Sequence, residues 1–393
     1  MVTPRTNLTR RVLAALDASP SRIPVLVGGC GSGRTTLVQQ IKERLGRTGA
    51  LYIDVERCAT TPERFLKAIV SSSPFPVTEP APAGARAAFD ATLGFFSRAK
   101  NGSGEPVTIL LDEFLELRTF ERFPGLRRVL YDLVDGLSAS GNRFVLTSRY
   151  VARTLRLLRD RSARFEVIHM PAMTTEDTLD IIAQAAGKPP MNDVASLGAA
   201  QDADLLARTV QALGDGRPAY VRALAEELIS MRGQGRGGPS AGDPLGAFAA
   251  LMDAEGRLAK LCHFTYELRL HRARGYGALK AILEILGEEE GLTLTEISQR
   301  LRRTPGSTKD YLSWLEDVDL VTARQKRYSY SDPLLRAWVR LHCRVTLPTE
   351  DDLAREVHRY AMPRLPQQQD PQAAPDETAY AMTAAPSGII EID

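Results

Sequence analysis

Ile23-Pro24-Val25-Leu26-Val27-Gly28-Gly29-Cys30-Gly31-Ser32-Gly33-Arg34-Thr35-Thr36 is the stretch on which the fold turns. Residues of strand length run into a glycine-rich loop, and Leu37, Ile41 and Leu45 then recur at helical spacing. A strand, a G-x4-G-[K/R]-[S/T] loop and a helix in that order form a phosphate loop. Its glycines let backbone N–H groups turn inward onto phosphate oxygens, and the helix start adds unpaired donors and the positive end of its dipole. The pattern predicts that Gly28, Gly31, Ser32, Gly33, Arg34, Thr35 and Thr36 bind the phosphates of ATP, with the Thr35 hydroxyl on Mg2+. Arg34 departs from the motif, which calls for lysine. Lysine is a compact point charge, whereas arginine is longer, planar and always protonated. Binding is expected to survive the exchange and hydrolysis to slow.

Two further strands belong with the loop. Val107-Thr108-Ile109-Leu110-Leu111 ends in Asp112 and Glu113, the pattern of a Walker B strand. Asp112 is expected to hold the metal through water and Glu113 to polarise the attacking water. Arg143–Thr147 delivers Thr147, Ser148 and Arg149 at its carboxyl end, the edge of an open α/β sheet where ligands bind. Thr147 or Ser148 is expected to sense the γ-phosphate and Arg149 to touch it.

With Ala50–Val55 and Glu166–His169, these strands alternate with helical patterns between residues 20 and 170, the rhythm of a parallel sheet. Residues 174–231 lose the strands and read as an all-helical lid, with Leu179, Ile182 and Ala186 on one face and Val221, Leu224 and Leu228 on another. From residue 275 the pattern is three helices, a basic aromatic hairpin (Leu320–Ser331) and a final amphipathic helix, the order of a winged helix-turn-helix. Ser71–Ala88, Arg232–Asp243 and everything after Met362 read as linkers or tail. The expected organisation is a phosphate-loop core over 1–172, a lid over 173–232, a linker and connecting helix over 233–274, the winged helix over 275–347 and an acidic, disordered tail over 348–393.

At 393 residues, 44% apolar and 25% charged, the chain is long enough for two or three soluble domains. No run approaches the roughly eighteen apolar residues of a membrane span. The Arg-rich start reads as a leading helix, because removing it as a transit peptide would destroy the strand and loop at 23–36. Cys30, Cys58, Cys262 and Cys343 lack CxxC spacing, which argues against a zinc site or disulfide framework and fits a reducing cytoplasm. The net charge of +2 hides an acidic 350–393 and a mildly basic body, compatible with nucleic acid without demonstrating it.

The chain resembles the AAA+ and STAND classes of P-loop ATPase, in particular archaeal-type ATPases and origin-recognition initiators that carry a C-terminal winged helix. The resemblance covers about residues 8–345. It rests on GGCGSGRTT, the acid-ended VTILLDE, VLTSR with its post-strand arginine, and Gly214-Asp215-Gly216-Arg217-Pro218-Ala219 in the lid. That last element is similar to the sensor 2 motif of origin-recognition ATPases and to the GxP element of STAND proteins. The likeness implies that Arg217 reaches the phosphates and that Pro218 lies near the adenine. It also implies that an arginine of the 149–164 stretch, Arg164 by choice, completes a neighbouring subunit's site in a homo-oligomer, although six arginines there equally describe a basic surface helix.

Two functions stay open. One is an AAA+-like ATPase whose nucleotide state positions the winged helix on double-stranded DNA, through Arg302, Arg303, Ser307, Thr308, Lys309 and Tyr311 and the wing cations Arg324, Lys326 and Arg327. The other is a STAND-type signalling switch with little turnover, whose winged helix serves protein contacts. Glu316, Asp317 and Asp319 at the end of the recognition helix speak against its lying wholly on a phosphate backbone.

Overall fold

The structure, a computed structural model, describes residues 5–46, 48–76, 82–161, 163–187, 197–233, 243–271, 275–344 and 346–366. Helix α1 (Thr6–Asp17) precedes β1 (Ile23–Val27), whose loop opens into α2 (Arg34–Leu45). There follow β2 (Ala50–Asp54), α3 (Val55–Cys58), α4 (Pro62–Ser72), α5 (Ala85–Arg98) and β3 (Thr108–Asp112). A 3-10 helix (Phe114–Arg122), α6 (Val129–Ala139), β4 (Arg143–Ser148), α7 (Val151–Leu158) and β5 (Phe165–His169) complete the first part. The five strands make one parallel sheet in the order β2-β3-β4-β1-β5.

Every residue of β1 and β3 is buried, as helices on both faces require. Alternation divides them between two cores. Ile23, Val25, Val27, Ile109 and Leu111 join Phe144, Phe96 and Phe65 on one side. Leu26 and Leu110 meet Val12, Leu16, Leu37 and Ile41 of α1 and α2 on the other. The leading helix is therefore part of the sheet's packing. Because β4 lies between β1 and β3, its carboxyl end falls between the phosphate loop and the acid pair.

Helices α8 (Thr175–Ala185), α9 (Leu197–Leu213) and α10 (Pro218–Gly233) follow, then α11 (Pro244–Met252) and α12 (Arg257–Leu270). The C-terminal module contains α13 (Tyr276–Glu288), β6 (Leu292–Thr293), α14 (Leu294–Leu301), α15 (Pro305–Asp317), β7 (Val321–Arg324), β8 (Arg327–Tyr330) and α16 (Pro333–His342). Its three short strands pair in the order β6-β8-β7. A last helix, α17 (Glu350–Ala361), packs on α16 and α11.

Three expectations need correction. On α8 the buried residues are Thr178, Ile181 and Ala183; of the face expected, Ile182 is partly buried against the core, and Leu179 and Ala186 are half-buried, while Val221, Leu224 and Leu228 are buried on α10 as expected. Within the stretch read as a linker over 71–88, residues 85–88 belong to α5, and 77–81 lie outside the described residues. Most of 232–243 lies outside them too. Residues 350–361 are helix rather than tail: Thr349 and Asp352 form a capping box, and Tyr360 stacks on Phe248 with ring centroids 5.1 Å apart. The tail reading fails because the acids Glu350, Asp351 and Asp352 fill the helix's first turn, where the dipole favours them. Residues 367–393 lie outside the described residues.

The entry to β4 is held by Asn142, which is fully buried. Its Nδ2 donates to the carbonyls of Phe96 at 2.9 Å and Ala99 at 3.0 Å, and its Oδ1 accepts the Val107 N–H at 3.0 Å. One side chain thus ties the end of α5 to β3 and β4. Asn142→Leu would leave these groups buried without partners, and should lower unfolding free energy by about 3 kcal/mol in urea denaturation.

Candidate functional site

The phosphate loop turns tightly, with Gly31 at φ +77° and Gly33 at φ +85°, a region that L side chains rarely adopt. Gly31 is doubly required, because a Cβ there would stand 2.9 Å from the Cβ of Ala219 at the start of α10. The lid is docked on the loop at this point, and the Ala219 N–H donates to the Gly31 carbonyl at 3.1 Å. An open cleft of about 370 Å³ remains between them, lined by Gly31, Ser32, Gly33, Thr35, Thr36 and Arg222 among others. Thr35 is exposed at the start of α2.

Arg34 also lines that cleft, but its guanidinium is engaged by the protein itself. Its Nη1 donates to the carbonyls of Gly28 and Gly29 and to Ser32 Oγ, and its Nη2 donates to Glu113 Oε1 at 2.7 Å. Both side chains are 7% exposed. The other carboxylate oxygen, Oε2, accepts the Arg149 backbone N–H at 3.0 Å and lies 3.1 Å from Arg149 Nε, while Arg149 Nη2 pairs with Glu56. Glu113 is thus clasped between two guanidinium groups. Burial alone would raise its carboxyl pKa, but the charges of Arg34 and Arg149 outweigh burial and hold it below the ordinary range. The backbone of Glu113 is left-handed, at φ 57°, a strained setting that these contacts maintain.

Asp112 and Thr147 form the adjoining layer. Thr147 donates its hydroxyl to Asp112 Oδ1 and accepts the Glu113 N–H at 2.9 Å, and Tyr52 donates to Asp112 Oδ2 at 2.9 Å. Fully buried, Thr147 orders the acid pair; no contact turns it toward the open cleft. Magnesium needs few protein ligands and keeps waters and phosphate oxygens, so one hydroxyl and one carboxylate are a suitable donor set. Among the described residues no group of three or more His, Cys, Asp or Glu could hold a metal on its own.

The lid arginine is turned away from the cleft. Arg217 Nη1 donates to Asp332 Oδ2 at 2.6 Å, and Tyr220 donates to the same oxygen at 2.9 Å. Asp332 also caps α16, its Oδ1 accepting the N–H groups of Leu334 and Leu335. The Arg217 guanidinium nevertheless lies beside the phosphate loop: a Cβ on Gly29 would stand 3.4 Å from its Nη1. Two more contacts fasten the C-terminal module here. Arg269 donates to the carbonyls of Val318 at 2.8 Å and Asp319 at 2.5 Å, and Asp319 accepts the N–H groups of Val151 and Ala152 at the start of α7.

Arg164, expected in a neighbouring subunit's site, is instead spent on its own fold. It donates to the carbonyls of Ser21, Ser138 and Ser140, which binds the approach to β1 to the end of α6. Thr308 is fully buried with its hydroxyl on the Thr304 carbonyl at 3.0 Å, so it cannot meet a base edge. Sequence reasoning missed Tyr52, Glu56, Arg222, Arg269 and Asp332. Only Asp332 left a local signal: Asp before Pro marks a helix start, though not an ion pair.

The five-stranded parallel sheet, with a glycine-rich loop and helix following β1, is a fold shared with other solved structures. Among solved structures it is similar to the Walker-type ATPase of Pyrococcus abyssi, at 14% identity over 86% of this chain and 96% of that one, with a TM-score of 0.59. It is also similar to the ORC2 protein of Aeropyrum pernix in ADPNP–ADP complexes, at 16% identity over 92% and 94% of the two chains, with a TM-score of 0.51. The likeness is one of fold. No protein-family model matches the sequence, and no curated protein does.

Replacing Glu113 with Gln removes the anion between two buried cations and should cost about 3 kcal/mol near neutral pH. A folded pKa below the unfolded value means that the stabilisation is complete above about pH 4.3 and is lost as pH falls through the folded pKa. Urea denaturation across pH should therefore show the gap between wild type and Glu113→Gln shrinking as the pH is taken below the ordinary carboxylate range.

Proposed function

We propose that this chain is an ATP-binding switch of the STAND kind, in which Mg2+·ATP controls the docking of a C-terminal winged-helix module and is hydrolysed slowly. The observation that carries this reading is the pairing of Arg217, beside Gly29, with Asp332 of that module. A γ-phosphate in the cleft offers Arg217 a stronger anion than Asp332, and Arg217 cannot serve both. Nucleotide binding and release of the module are then one equilibrium, driven by the ligand's differential affinity for the two states.

The chain's own groups divide the work. Loop N–H groups and the start of α2 hold phosphate, the Thr35 hydroxyl and Asp112 hold the metal, and Thr147 keeps Asp112 oriented. Bound Mg2+ would neutralise charge on the phosphate oxygens. Glu113 can orient a water only after leaving Arg34 and Arg149, which supports slow turnover. Oligomerisation of the released form in a cytoplasmic setting belongs to the same reading.

A second reading, contact with duplex DNA, has its own support: Arg302, Arg303, Lys309, Arg324, Lys326 and Arg327 are all exposed on the module. The far end of α15 is occupied, Asp317 pairing with Arg156 of α7. The exposed cations would track phosphates. Replacing Arg324, Lys326 and Arg327 with alanine should then flatten the slope of log affinity against log salt by roughly two to three units in fluorescence anisotropy.

The switch is tested with Asp332→Ser, which keeps a capping oxygen but is too short to reach Arg217. Calorimetry with Mg2+·ATP should show binding about tenfold tighter than wild type, the equivalent of about 1.4 kcal/mol. Equal affinities would refute competition for Arg217. Absence of ATP binding in both proteins would overturn the nucleotide site itself.

A further inference from the structure

Arg5 stands just before α1, beside the candidate nucleotide cleft. It lines a mostly apolar slot with Leu37, Met173, Asp177, Ile181 and Pro218. The slot adjoins the phosphate cleft, since Gly33, Thr36, Pro218 and Arg222 line both. A ligand with a flat, weakly polar body and a polyanionic tail matches the two together.

Both terminal nitrogens of Arg5 are buried without a hydrogen-bond partner among the described residues. Such orphaned donors are unfavourable in an apolar setting, and a native protein that keeps them invites an explanation by a ligand. Burial lowers the guanidinium pKa, and the negative charge of Asp177 opposes that shift. Asp177 accepts no hydrogen bond from Arg5; its Oδ2 accepts the Thr174 N–H at 3.0 Å in the capping box of α8. The slot thus presents free donors with a carboxylate close by.

We propose that Arg5 reads the base of the bound nucleotide, donating to adenine N7 while Asp177 accepts from the N6 amino group. Adenine offers an acceptor and a donor side by side on this edge, whereas guanine offers two acceptors and would set its O6 against the carboxylate. The assignment rests on the ATP reading above and adds the residues that choose the base. Arg5 is the specificity-determining residue, and Pro218, Met173 and Ile181 supply the apolar walls.

The test is calorimetry on the full chain with Mg2+ and four probes: ATP, GTP, 7-deaza-ATP and inorganic tripolyphosphate. Wild type should bind 7-deaza-ATP and GTP about tenfold more weakly than ATP, the effect of one missing hydrogen bond at a buried donor. Arg5→Met should weaken ATP by the same factor, erase the difference between ATP and 7-deaza-ATP, and leave tripolyphosphate unchanged. Arg5→Lys should fall between, restoring one donor. The ligand-free melting temperature of Arg5→Met should equal or exceed that of wild type, because an unpaired buried cation has been removed; a structural role would lower it. Equal ATP affinity in wild type and Arg5→Met, equal loss of ATP and tripolyphosphate, or a lowered ligand-free melting temperature with unchanged base preference would each overturn the proposal. Tripolyphosphate binding without any gain from the adenosine moiety would refute base reading while leaving the phosphate site standing. Failure of both to bind would remove the two together.

Discussion

One carboxylate between two guanidinium groups governs the state of this site. Glu113 stands at the end of β3, with Arg34 reaching it from the phosphate loop and Arg149 from the end of β4. Three segments that are far apart in sequence therefore meet in a single buried charge cluster. Such a cluster is costly to assemble, since each ion leaves water, and costlier to break by removing one member. Here each charge has hydrogen bonds as well as a counterion, while the Nε atoms of Arg34 and Arg149 are buried without a hydrogen-bond partner among the described residues. Lysine at position 34 could not make the same set: a guanidinium divides its donors among two carbonyls, a hydroxyl and a carboxylate, in a fork that an ammonium lacks.

The same economy of arginines extends outward. Arg149 is completed by Glu56, Arg217 by Asp332, and Arg269 by the carbonyls of Val318 and Asp319. Anionic or carbonyl oxygens of the chain thus occupy cations that crowd the phosphate loop. Two of these partnerships cross from the lid and its following helix to the C-terminal module, which is how the module comes to be fastened at the nucleotide cleft. The loop, the lid and the module are joined by polar contacts of short reach.

The sheet was legible from residues alone because its strands are short apolar runs bounded by glycine and acids, and each expected strand agrees with the observed one within a residue. The loop at 28–36 was legible for the same reason, its order of strand, glycines and helix being local. What escaped was long-range pairing. Nothing near Arg217 announces Asp332, and nothing near Arg34 announces that it will turn inward to Glu113, since side-chain partners are chosen by tertiary packing. Thr308 escaped through a local effect: a threonine one turn into a helix can return its hydroxyl to the preceding carbonyl, which removes it from any outward role. The helix at 350–361 was hidden by its own capping acids, which mimic a solvated charge run.

The start of α7 takes its cap from a distant part of the chain. In most helices a neighbouring side chain satisfies the first N–H groups, but here the amides of Val151 and Ala152 are satisfied by Asp319, beyond the end of α15. Departure of the module would uncover those two amides to water at the moment Asp319 withdraws. If the module lifts as proposed above, these two amides would be shielded from hydrogen exchange while it is seated and would become open to exchange when it leaves.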